Sequence, residues 1–208
     1  MDGPQPGDVA TPEVLAAWVL ALQPAPALPA GPLVVAVDGR SGAGKSTLAG
    51  SLADAVRRHP ADAVVVHLDD LYPGWDGLDP VLQVVVEHVL SPLAGTIPVV
   101  VPTWDWDGDR PGPARTVPEL GPPRPAVVLL EGAGSGAGAA APWLAGLLWI
   151  DADPGVRRRR ALARDGASYA PHWDRWSAQE EAYAARERPW DRAGLVLDAT
   201  GGMPVVVR

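Results

Sequence analysis

The most constraining feature of the sequence is a glycine-rich segment that follows a short apolar run, VVAVDGRSGAGKST at residues 34–47. Gly39, Gly44, Lys45 and Ser46 satisfy the pattern G-x-x-x-x-G-K-[ST], and an amphipathic stretch follows them. Between a strand and a helix, such glycines let successive backbone N–H groups turn towards one anion, and the helix N-terminus adds its positive dipole end. The segment therefore predicts a loop that binds a polyphosphate.

The loop also predicts the cofactors, ATP and Mg²⁺. The residues expected to contact the nucleotide are those of the loop and the first helical turn: Gly39, Ser41, Gly42, Ala43, Gly44, Lys45, Ser46 and Thr47. Lys45 is the only lysine in the chain. A compact ammonium can reach between the β- and γ-phosphates, whereas a guanidinium is bulkier and needs a fork-shaped partner. The Ser46 hydroxyl is a candidate ligand for Mg²⁺.

Composition excludes several other classes of protein. The 208 residues suffice for one domain, and a net charge of −8 disfavours a dedicated nucleic-acid binder. The absence of cysteine excludes disulfides, thiolate metal sites and a cysteine nucleophile. No run of about 18 apolar residues is present, and the N-terminus carries Asp2 and Asp8 rather than basic residues. We therefore expect a cytoplasmic protein that does not bind membranes, and its oligomeric state is left open.

The N-terminal segment is predicted to form a helix and a connector. Thr11-Pro12-Glu13 is typical of a helix start. An apolar stripe for packing on the core then follows at Val14, Leu15, Trp18, Val19 and Leu22. Residues 23–32 are rich in proline, which excludes regular helix and central strand. We assign residues 1–31 to this helix and connector and 32–208 to the main domain.

The rest of the chain has the pattern of an α/β fold with a parallel sheet. Apolar runs without alternation occur at 33–37, 63–67, 126–130, 147–150 and 195–197. Helices are predicted over 45–58, over 80–90 behind a cap at Asp79, over 154–164 behind a cap at Asp153, and over 174–187. Residues 108–125 are predicted to form a loop, and 132–141 stay unassigned. Crossover helices would then cover both faces of the sheet.

Carboxylates follow two of the apolar runs. Asp69 and Asp70 come after one, and Glu131 ends another. Since ligands collect at the carboxyl ends of parallel strands, these acids are expected near the phosphate loop. One would orient Mg²⁺, with Glu131 and Asp69 as candidates, and one would take a proton from the acceptor hydroxyl, for which Asp69 is preferred. The alternative is that they cap turns and face water, and Asp38 inside the loop is open to either interpretation.

An arginine run begins on the helix after Asp153. Arg157, Arg160 and Arg164 fall within an arc of about 60° on that helix. Such a stripe could close over the phosphates and neutralise charge on the transferring phosphoryl group. The alternative is a solvated basic face that pairs with Glu180 or Glu181.

Nine tryptophans and no phenylalanine have two interpretations: indole rings that stack on a ligand, or tryptophans that replace phenylalanine in ordinary packing, which is open for each of them. The tryptophans expected on the ligand side are Trp75, Trp104, Trp106, Trp173 and Trp176. Trp104 is preferred for substrate contact, whereas packing is the better interpretation for Trp18, Trp143 and Trp149. The histidines, at 59, 67, 88 and 172, lack zinc-site spacing and are expected to be structural or at the surface.

Several motifs together resemble the uridine kinase family of P-loop kinases. Besides the phosphate loop they are LDDLY at 68–72, PTWDWDGDR at 102–110, LLEG at 129–132 and DADPGVRRRRALARD at 151–165. The match runs from about residue 33 to 200. The resemblance implies a three-layer fold with a five-stranded parallel sheet in the order 2-3-1-4-5, a lid helix that carries arginines, and a nucleoside site beside the phosphate loop.

The resemblance also implies roles for individual residues. Asp69 would be the general base, Tyr72 would line the acceptor site, and Trp104 with Asp105 would occupy the position of a Tyr-Asp pair that contacts the nucleoside. Arg157 and Arg160 would match the lid arginines, and residues 199–202 would contact adenine.

The acceptor loop departs from the family pattern. Asp107, Gly108 and Asp109 stand where the family has a histidine that contacts the base.

Together these features predict an ATP-dependent kinase that phosphorylates a hydroxyl of a small neutral metabolite, with a nucleoside as the preferred acceptor. An acceptor that carries its own phosphate would need arginines, but the segment from Trp104 to Asp109 offers three acids before Arg110, a candidate substrate contact. The alternatives are a kinase for a non-nucleoside acceptor, a nucleotide-dependent switch or NTPase read by a protein partner, and a nucleotide-binding fold without chemistry.

Overall fold

A six-stranded sheet forms the centre of the computed structural model, which describes residues 3–95, 97–106 and 108–208. The strands are, in chain order, β1 (Leu33–Asp38), β2 (Ala63–His67), β3 (Val100–Val101), β4 (Trp104–Asp105), β5 (Arg110–Pro111), β6 (Arg115–Thr116), β7 (Val127–Glu131), β8 (Gly146–Asp151), β9 (Leu195–Asp198) and β10 (Val205–Val206). In the sheet, β2, β7, β1, β8 and β9 lie side by side in that order and pair in parallel. The predicted order of five parallel strands is confirmed, and β10 extends the sheet with an antiparallel edge.

Of the helices, one precedes the first strand along the chain and the others lie between successive strands. They are α1 (Pro12–Leu20), α2 (Lys45–Arg57), α3 (Leu78–Val84), α4 (Ser91–Leu93), α5 (Pro154–Tyr169), α6 (Trp173–Glu187) and α7 (Pro189–Arg192), and a π-helical segment (Val85–Leu90) joins α3 to α4. Short 3₁₀ turns occur at Leu68–Asp70, Pro118–Leu120, Ala141–Trp143 and Ala170–His172. The segment predicted as a loop over 108–125 contains β5 and β6, which pair with β4 and β3 in two small antiparallel sheets.

Two of the three predicted helix caps are present. Thr11 accepts from the Val14 N–H, and the Asp153 carboxylate accepts from the N–H groups of Gly155 and Val156. The predicted cap at Asp79 is wrong, because α3 already begins at Leu78. Leu78 is buried, and the helix begins two residues earlier than predicted, so that Asp79 lies in its first turn.

Alternate residues of the sheet pack on opposite faces and give the fold its three layers. Val35 of β1 belongs to one apolar core together with Leu15 of α1 and Leu52 of α2. Its neighbour Val34 belongs to a second core that contains Tyr183 of α6. Since side chains alternate along a strand, α1 and α2 cover one face and α3 with α6 cover the other.

The N-terminal segment is continuous with the first of these cores. Helix α1 buries Leu15, Ala16 and Val19, and Val9 pairs with Val205 of β10. Val14 is 37 % exposed, so the predicted apolar stripe is wrong at that position. The boundary between residues 31 and 32 stays a prediction. Within the described ranges, no helix combines the length and the apolar character that a membrane crossing requires.

Candidate active site

The phosphate loop lies between β1 and α2, in the predicted strand–loop–helix setting. Gly39 has φ +151° and Gly42 has φ +78°, and a Cβ at either position would clash with a backbone carbonyl oxygen, of Ile150 and Arg157 respectively. Only glycine allows both this conformation and this close approach. The loop therefore packs directly against the backbone of β8 and α5.

A cavity of about 170 Å³ opens over this loop. Its described lining combines the loop with acids and arginines, namely Ser41, Gly42, Gly44, Lys45, Ser46, Thr47, Asp69, Glu131, Arg160, Ala161 and Arg164. Lys45 is only 9 % exposed, and its Nζ donates to the Arg40 carbonyl oxygen at 3.1 Å. The Ser46 hydroxyl donates to Oε1 of Glu131 at 3.1 Å. The loop, its ammonium and a carboxylate thus face one small space.

Glu131 is held by a histidine on the neighbouring strand. The parallel register places His67 of β2 opposite Glu131 of β7, and His67 Nδ1 lies 2.6 Å from Glu131 Oε2. Burial raises the pKa of Glu131, but the His67 hydrogen bond, the Lys45 charge and the Ser46 hydroxyl outweigh it, so that the pKa falls below its usual value. The same hydrogen bond raises the pKa of His67. The contact escaped the sequence analysis, although both residues end predicted strands.

The oxygen atoms around the cavity fit Mg²⁺. Ser46 offers a hydroxyl, and Glu131 and Asp69 offer carboxylates, which are the donors that this cation prefers. Within the described ranges, no group of three or more histidine or acidic side chains is arranged to hold a metal ion by itself. Mg²⁺ usually binds through one or two carboxylates together with phosphate oxygens and waters, and this donor set suits that mode.

A larger cavity of about 730 Å³ adjoins the first. Ser41, Lys45, Asp69 and Arg164 line both cavities. Asp69 lies in the turn after β2, and its side chain is exposed to the cavity. Desolvation by the surrounding protein raises the pKa of Asp69, whereas the charges of Lys45 and Arg164 act to lower it. One carboxylate therefore stands at the junction between the two spaces.

Aromatic rings form much of the larger cavity. The described lining includes Tyr72, Trp75, Trp106, Tyr169, His172 and Trp176. The Trp75 ring is stacked on His172 with centroids 4.0 Å apart and on Tyr169 at 5.8 Å, and it meets Trp106 edge to face at 5.0 Å. We call Trp75, Trp106, Tyr169 and His172 the aromatic wall. Tyr169 and His172 are the residues of this wall that the sequence analysis missed.

Tyr72 lies deeper in the larger cavity. Its hydroxyl donates to the Ala133 carbonyl oxygen at 2.8 Å, and its ring meets Trp176 edge to face at 4.7 Å. Burial raises the pKa of Tyr72 well above its usual value. Tyr72 therefore contributes a ring surface to this cavity, and its contact with an acceptor stays a prediction.

Three predicted acceptor contacts lie elsewhere. Trp104, Asp105 and Arg110 are not among the described residues that line either cavity. The Trp104 indole lies against Gly74, and Arg110 Nε forms an ion pair with Asp105 at 3.1 Å. Asp70 pairs with Arg115 at the surface, so that of the three predicted acids Asp69 and Glu131 line the cavities. Asp165, which the sequence analysis did not single out, also lines the larger cavity and pairs with Arg164. Asp107 lies outside the described residues.

The structure separates the three arginines of the predicted stripe. Arg160 and Arg164 line the phosphate cavity. Arg157 is buried, and its Nε lies 3.1 Å from the Ala152 carbonyl oxygen and forms an ion pair with Asp151. In this arrangement Arg157 fastens α5 to the end of β8.

The acids expected as possible partners of the stripe make other contacts. Glu180 accepts from the backbone and hydroxyl of Ser41, and Glu181 pairs with Arg40.

Asp38 supports the loop from beneath. It is fully buried and accepts hydrogen bonds from the N–H groups of Gly39, Gly134 and Gly136 at 2.7–3.0 Å and from the Tyr183 hydroxyl at 2.5 Å. Burial raises the pKa of Asp38, and these hydrogen bonds act to lower it. The unassigned segment 132–141 is thus a loop whose amides hold the Asp38 carboxylate.

The fold has known counterparts among solved structures. No protein-family model and no curated protein sequence matches the chain. A protein from Bacillus stearothermophilus assigned as a possible uridine kinase superposes with a TM-score of 0.65 at 22 % identity, over 89 % of this chain and 96 % of the other. The chain has the fold of the P-loop kinases. The resemblance drawn from the motifs is confirmed at this level.

A second counterpart has a different assignment. A protein from Silicibacter sp. TM1040 assigned as a fructose transport system kinase has a TM-score of 0.55 at 22 % identity, over 88 % of this chain and 95 % of the other. Both neighbours carry kinase names and the same α/β architecture. Their sequence identities to this chain are low, so the likeness shows the fold alone.

Proposed function

We propose that the protein transfers the γ-phosphoryl group of ATP to a hydroxyl of a small neutral metabolite. The observation that carries this proposal is the junction of the two cavities, where Lys45, Asp69 and Arg164 line both spaces. A phosphate bound over the loop and a hydroxyl bound in the larger cavity would meet at these three groups. Phosphoryl transfer depends mainly on positioning and charge stabilisation, which this arrangement provides.

The phosphate loop and helix α5, the predicted lid helix, act on ATP, the phosphoryl donor. Backbone N–H groups of the loop and the Lys45 ammonium hold the β- and γ-phosphates, and Ser46 with Glu131 would hold Mg²⁺ or its waters. When bound, Mg²⁺ would supply positive charge that offsets the negative charge of the phosphates. Arg160 and Arg164 of α5 stabilise the negative charge on the phosphoryl group in the transition state.

Asp69 acts on the acceptor side as general base. It accepts the proton of the acceptor hydroxyl while the acceptor oxygen bonds to the γ-phosphorus and the bond to the β-phosphate oxygen breaks, which releases ADP. Desolvation raises the pKa of Asp69 towards the range in which a base is effective, and the charges of Lys45 and Arg164 act to lower it. Asp69 would thus lie beside the acceptor hydroxyl whose proton it accepts.

The lining of the larger cavity suits a neutral acceptor with a flat or apolar face. Among the described residues that line it, the side chains of lysine or arginine type are Lys45 and Arg164. Both of these also line the phosphate cavity. If the acceptor carried its own phosphate, the described lining would offer that phosphate no further lysine or arginine. The aromatic wall offers ring faces for stacking, which favours a nucleoside. The solved neighbours are named for uridine and for fructose transport, so a sugar is the alternative.

A panel of acceptors tests the proposal. Purified protein with MgATP is incubated with uridine, cytidine, adenosine, fructose or pantothenate, and ADP release is followed by a coupled assay. We expect one acceptor class to stimulate ADP release at least about tenfold over the rate without acceptor. Equal rates in every incubation would contradict the proposal.

A further inference from the structure

Helix α6 connects the phosphate loop to the acceptor cavity through three consecutive side chains. Gln179 Nε2 donates to the Trp75 carbonyl oxygen at 2.8 Å, and its Oε1 accepts from the Leu78 N–H at 3.5 Å. The next residue, Glu180, accepts from the N–H and the hydroxyl of Ser41 in the loop at 2.8 and 2.7 Å. Glu181 then pairs with Arg40 of the loop. One turn of one helix therefore contacts both sites.

Glu180 is an unusual group to find beside an anion-binding loop. It is 2 % exposed, and its Oε1 accepts from Ser41 and from the Trp176 indole N–H. Its other oxygen, Oε2, has no hydrogen-bond partner among the described residues. A buried carboxylate with an unsatisfied oxygen is costly, so the position of Glu180 beside the phosphate loop calls for a functional explanation.

Nucleotide binding must change the surroundings of Glu180. In the structure the Lys45 ammonium donates to the Arg40 carbonyl oxygen, and its charge acts to lower the pKa of Glu180 against the larger effect of burial. A bound phosphate would draw the Lys45 charge away from Glu180, so that this carboxylate would depend more on the hydrogen bonds that it accepts from Ser41 and Trp176. The phosphate would also order Ser41 together with the rest of the loop. The contact between Glu180 and Ser41 thus differs in free energy between the two states, which is what coupling to a ligand requires.

The other end of the connection is the centre of the aromatic wall. Gln179 holds the backbone on either side of Asp76, and Arg175, one turn earlier on α6, pairs with the Asp76 carboxylate. Trp75 is the residue of the wall whose backbone Gln179 anchors directly. A shift of α6 would therefore move the Trp75 ring and the cavity wall that it forms.

We infer that Gln179 and Glu180 are positioning residues that couple nucleotide binding at the phosphate loop to the order of the acceptor segment, residues 74–79. The inference rests on the proposed function, because it takes the loop to be the nucleotide site and the aromatic wall to be the acceptor site. The inference goes beyond the proposed function because it makes the order of the acceptor cavity depend on bound nucleotide.

Hydrogen–deuterium exchange with the non-hydrolysable analogue MgAMP-PCP tests the coupling on the full chain. In the wild type, MgAMP-PCP is expected to slow amide exchange about fivefold or more in residues 74–79 as well as in the phosphate loop. In Gln179→Met, which keeps the side-chain length and loses both hydrogen bonds, the loop keeps its protection and residues 74–79 lose theirs. Glu180→Gln, which removes the buried charge, is expected to reduce the effect at 74–79. Asp174→Asn, an exposed change on the same helix, should behave as the wild type.

The ligand-dependent difference separates positioning from a merely structural role, because lost packing alone would speed exchange equally with and without nucleotide. Protection confined to the loop and α5 in the wild type would overturn the inference, and so would protection of 74–79 that persists in Gln179→Met. Calorimetry on the same samples keeps the two proposals distinguishable. Failure of MgAMP-PCP to bind the wild type would overturn the proposed function and the inference together, whereas binding without remote protection would overturn the inference alone.

Discussion

At the scale of single residues, the proposed phosphoryl transfer depends most on Asp69, the carboxylate at the junction of the two cavities. Asp69→Asn keeps the size of the side chain and removes the base. We expect turnover with the best acceptor to fall by about 10²- to 10⁴-fold, since that is the usual contribution of a general base. Affinity for MgAMP-PCP, measured by calorimetry, should change by less than about threefold, because Asn removes a charge and leaves the loop intact.

The neighbouring acid provides a matched control. Asp70 is exposed and pairs with Arg115 at the surface, so Asp70→Asn should leave turnover close to that of the wild type. Equal losses in the two variants, or an Asp69→Asn variant that keeps full turnover, would show that another group accepts the proton.

The pH dependence of the rate follows from the same residue. Desolvation by the surrounding protein raises the pKa of Asp69, and the ionised form is the active one. Activity is therefore present above this pKa and is lost as the pH falls through it, and the loss should begin at a higher pH than an aspartate with its ordinary pKa would give. The measurement is kcat/KM for the best acceptor against pH. A profile that stays flat down to the ordinary aspartate range would contradict the assignment.

At the scale of elements, Asp38 joins β1, the 132–141 loop and α6. Its carboxylate accepts four hydrogen bonds in a fully buried position, and an amide in its place would turn an N–H₂ group towards donors. We expect Asp38→Asn to lower the free energy of unfolding by about 1–3 kcal/mol. Urea denaturation measures the change, with Asp54→Asn on the exposed face of α2 as the control. A loss no larger than that of the control would mean that the four contacts contribute little.

The elements also show what the sequence could and could not predict. The loop between β1 and α2 and the caps at Thr11 and Asp153 were predictable, because their signals are local and chemically specific. The start of α3 was not, since the burial of Leu78 depends on distant packing. Capping residues and hydrophobic periodicity can be recognised within one segment of sequence. Tertiary contacts come from distant segments and can shift the ends of an element that these local signals predict.

The aromatic wall shows the same limit at the site. Trp75 stacks on Tyr169 and His172, which are almost a hundred positions away in the chain, and no spacing in the sequence connects them. Trp104 was the preferred substrate contact, but Trp106, two residues later, lines the cavity in the structure. On the phosphate side the local motif led to Lys45, Ser46 and Glu131, which line the smaller cavity, but it did not show that Arg157 would be buried against β8. On the acceptor side the sequence led to Tyr72 and to a group of candidate tryptophans.

At the scale of the whole molecule, the phosphate loop touches both β8 and α5 and lies above the sheet. A ligand that binds only the folded state stabilises the entire chain by mass action. At about 100 times its dissociation constant, MgAMP-PCP should add about 2.7 kcal/mol, which corresponds to a rise in Tm of about 5–10 °C. Differential scanning fluorimetry measures the shift.

Lys45→Met provides the comparison for this prediction. The substitution removes the ammonium that faces the phosphates, so most of the shift should disappear while the Tm without ligand stays within a few degrees. A variant that keeps the full shift would show that the nucleotide binds elsewhere.

The central claim is that the phosphoryl group passes to a hydroxyl in the larger cavity rather than to water. The most direct test is ³¹P NMR of the protein with MgATP and the best acceptor of the panel. We expect the γ-phosphate signal to decline as a phosphomonoester signal and the ADP signals rise in equal amounts, with little inorganic phosphate. Inorganic phosphate that accumulates at the same rate with and without acceptor, and no ester, would contradict the claim and identify an NTPase instead.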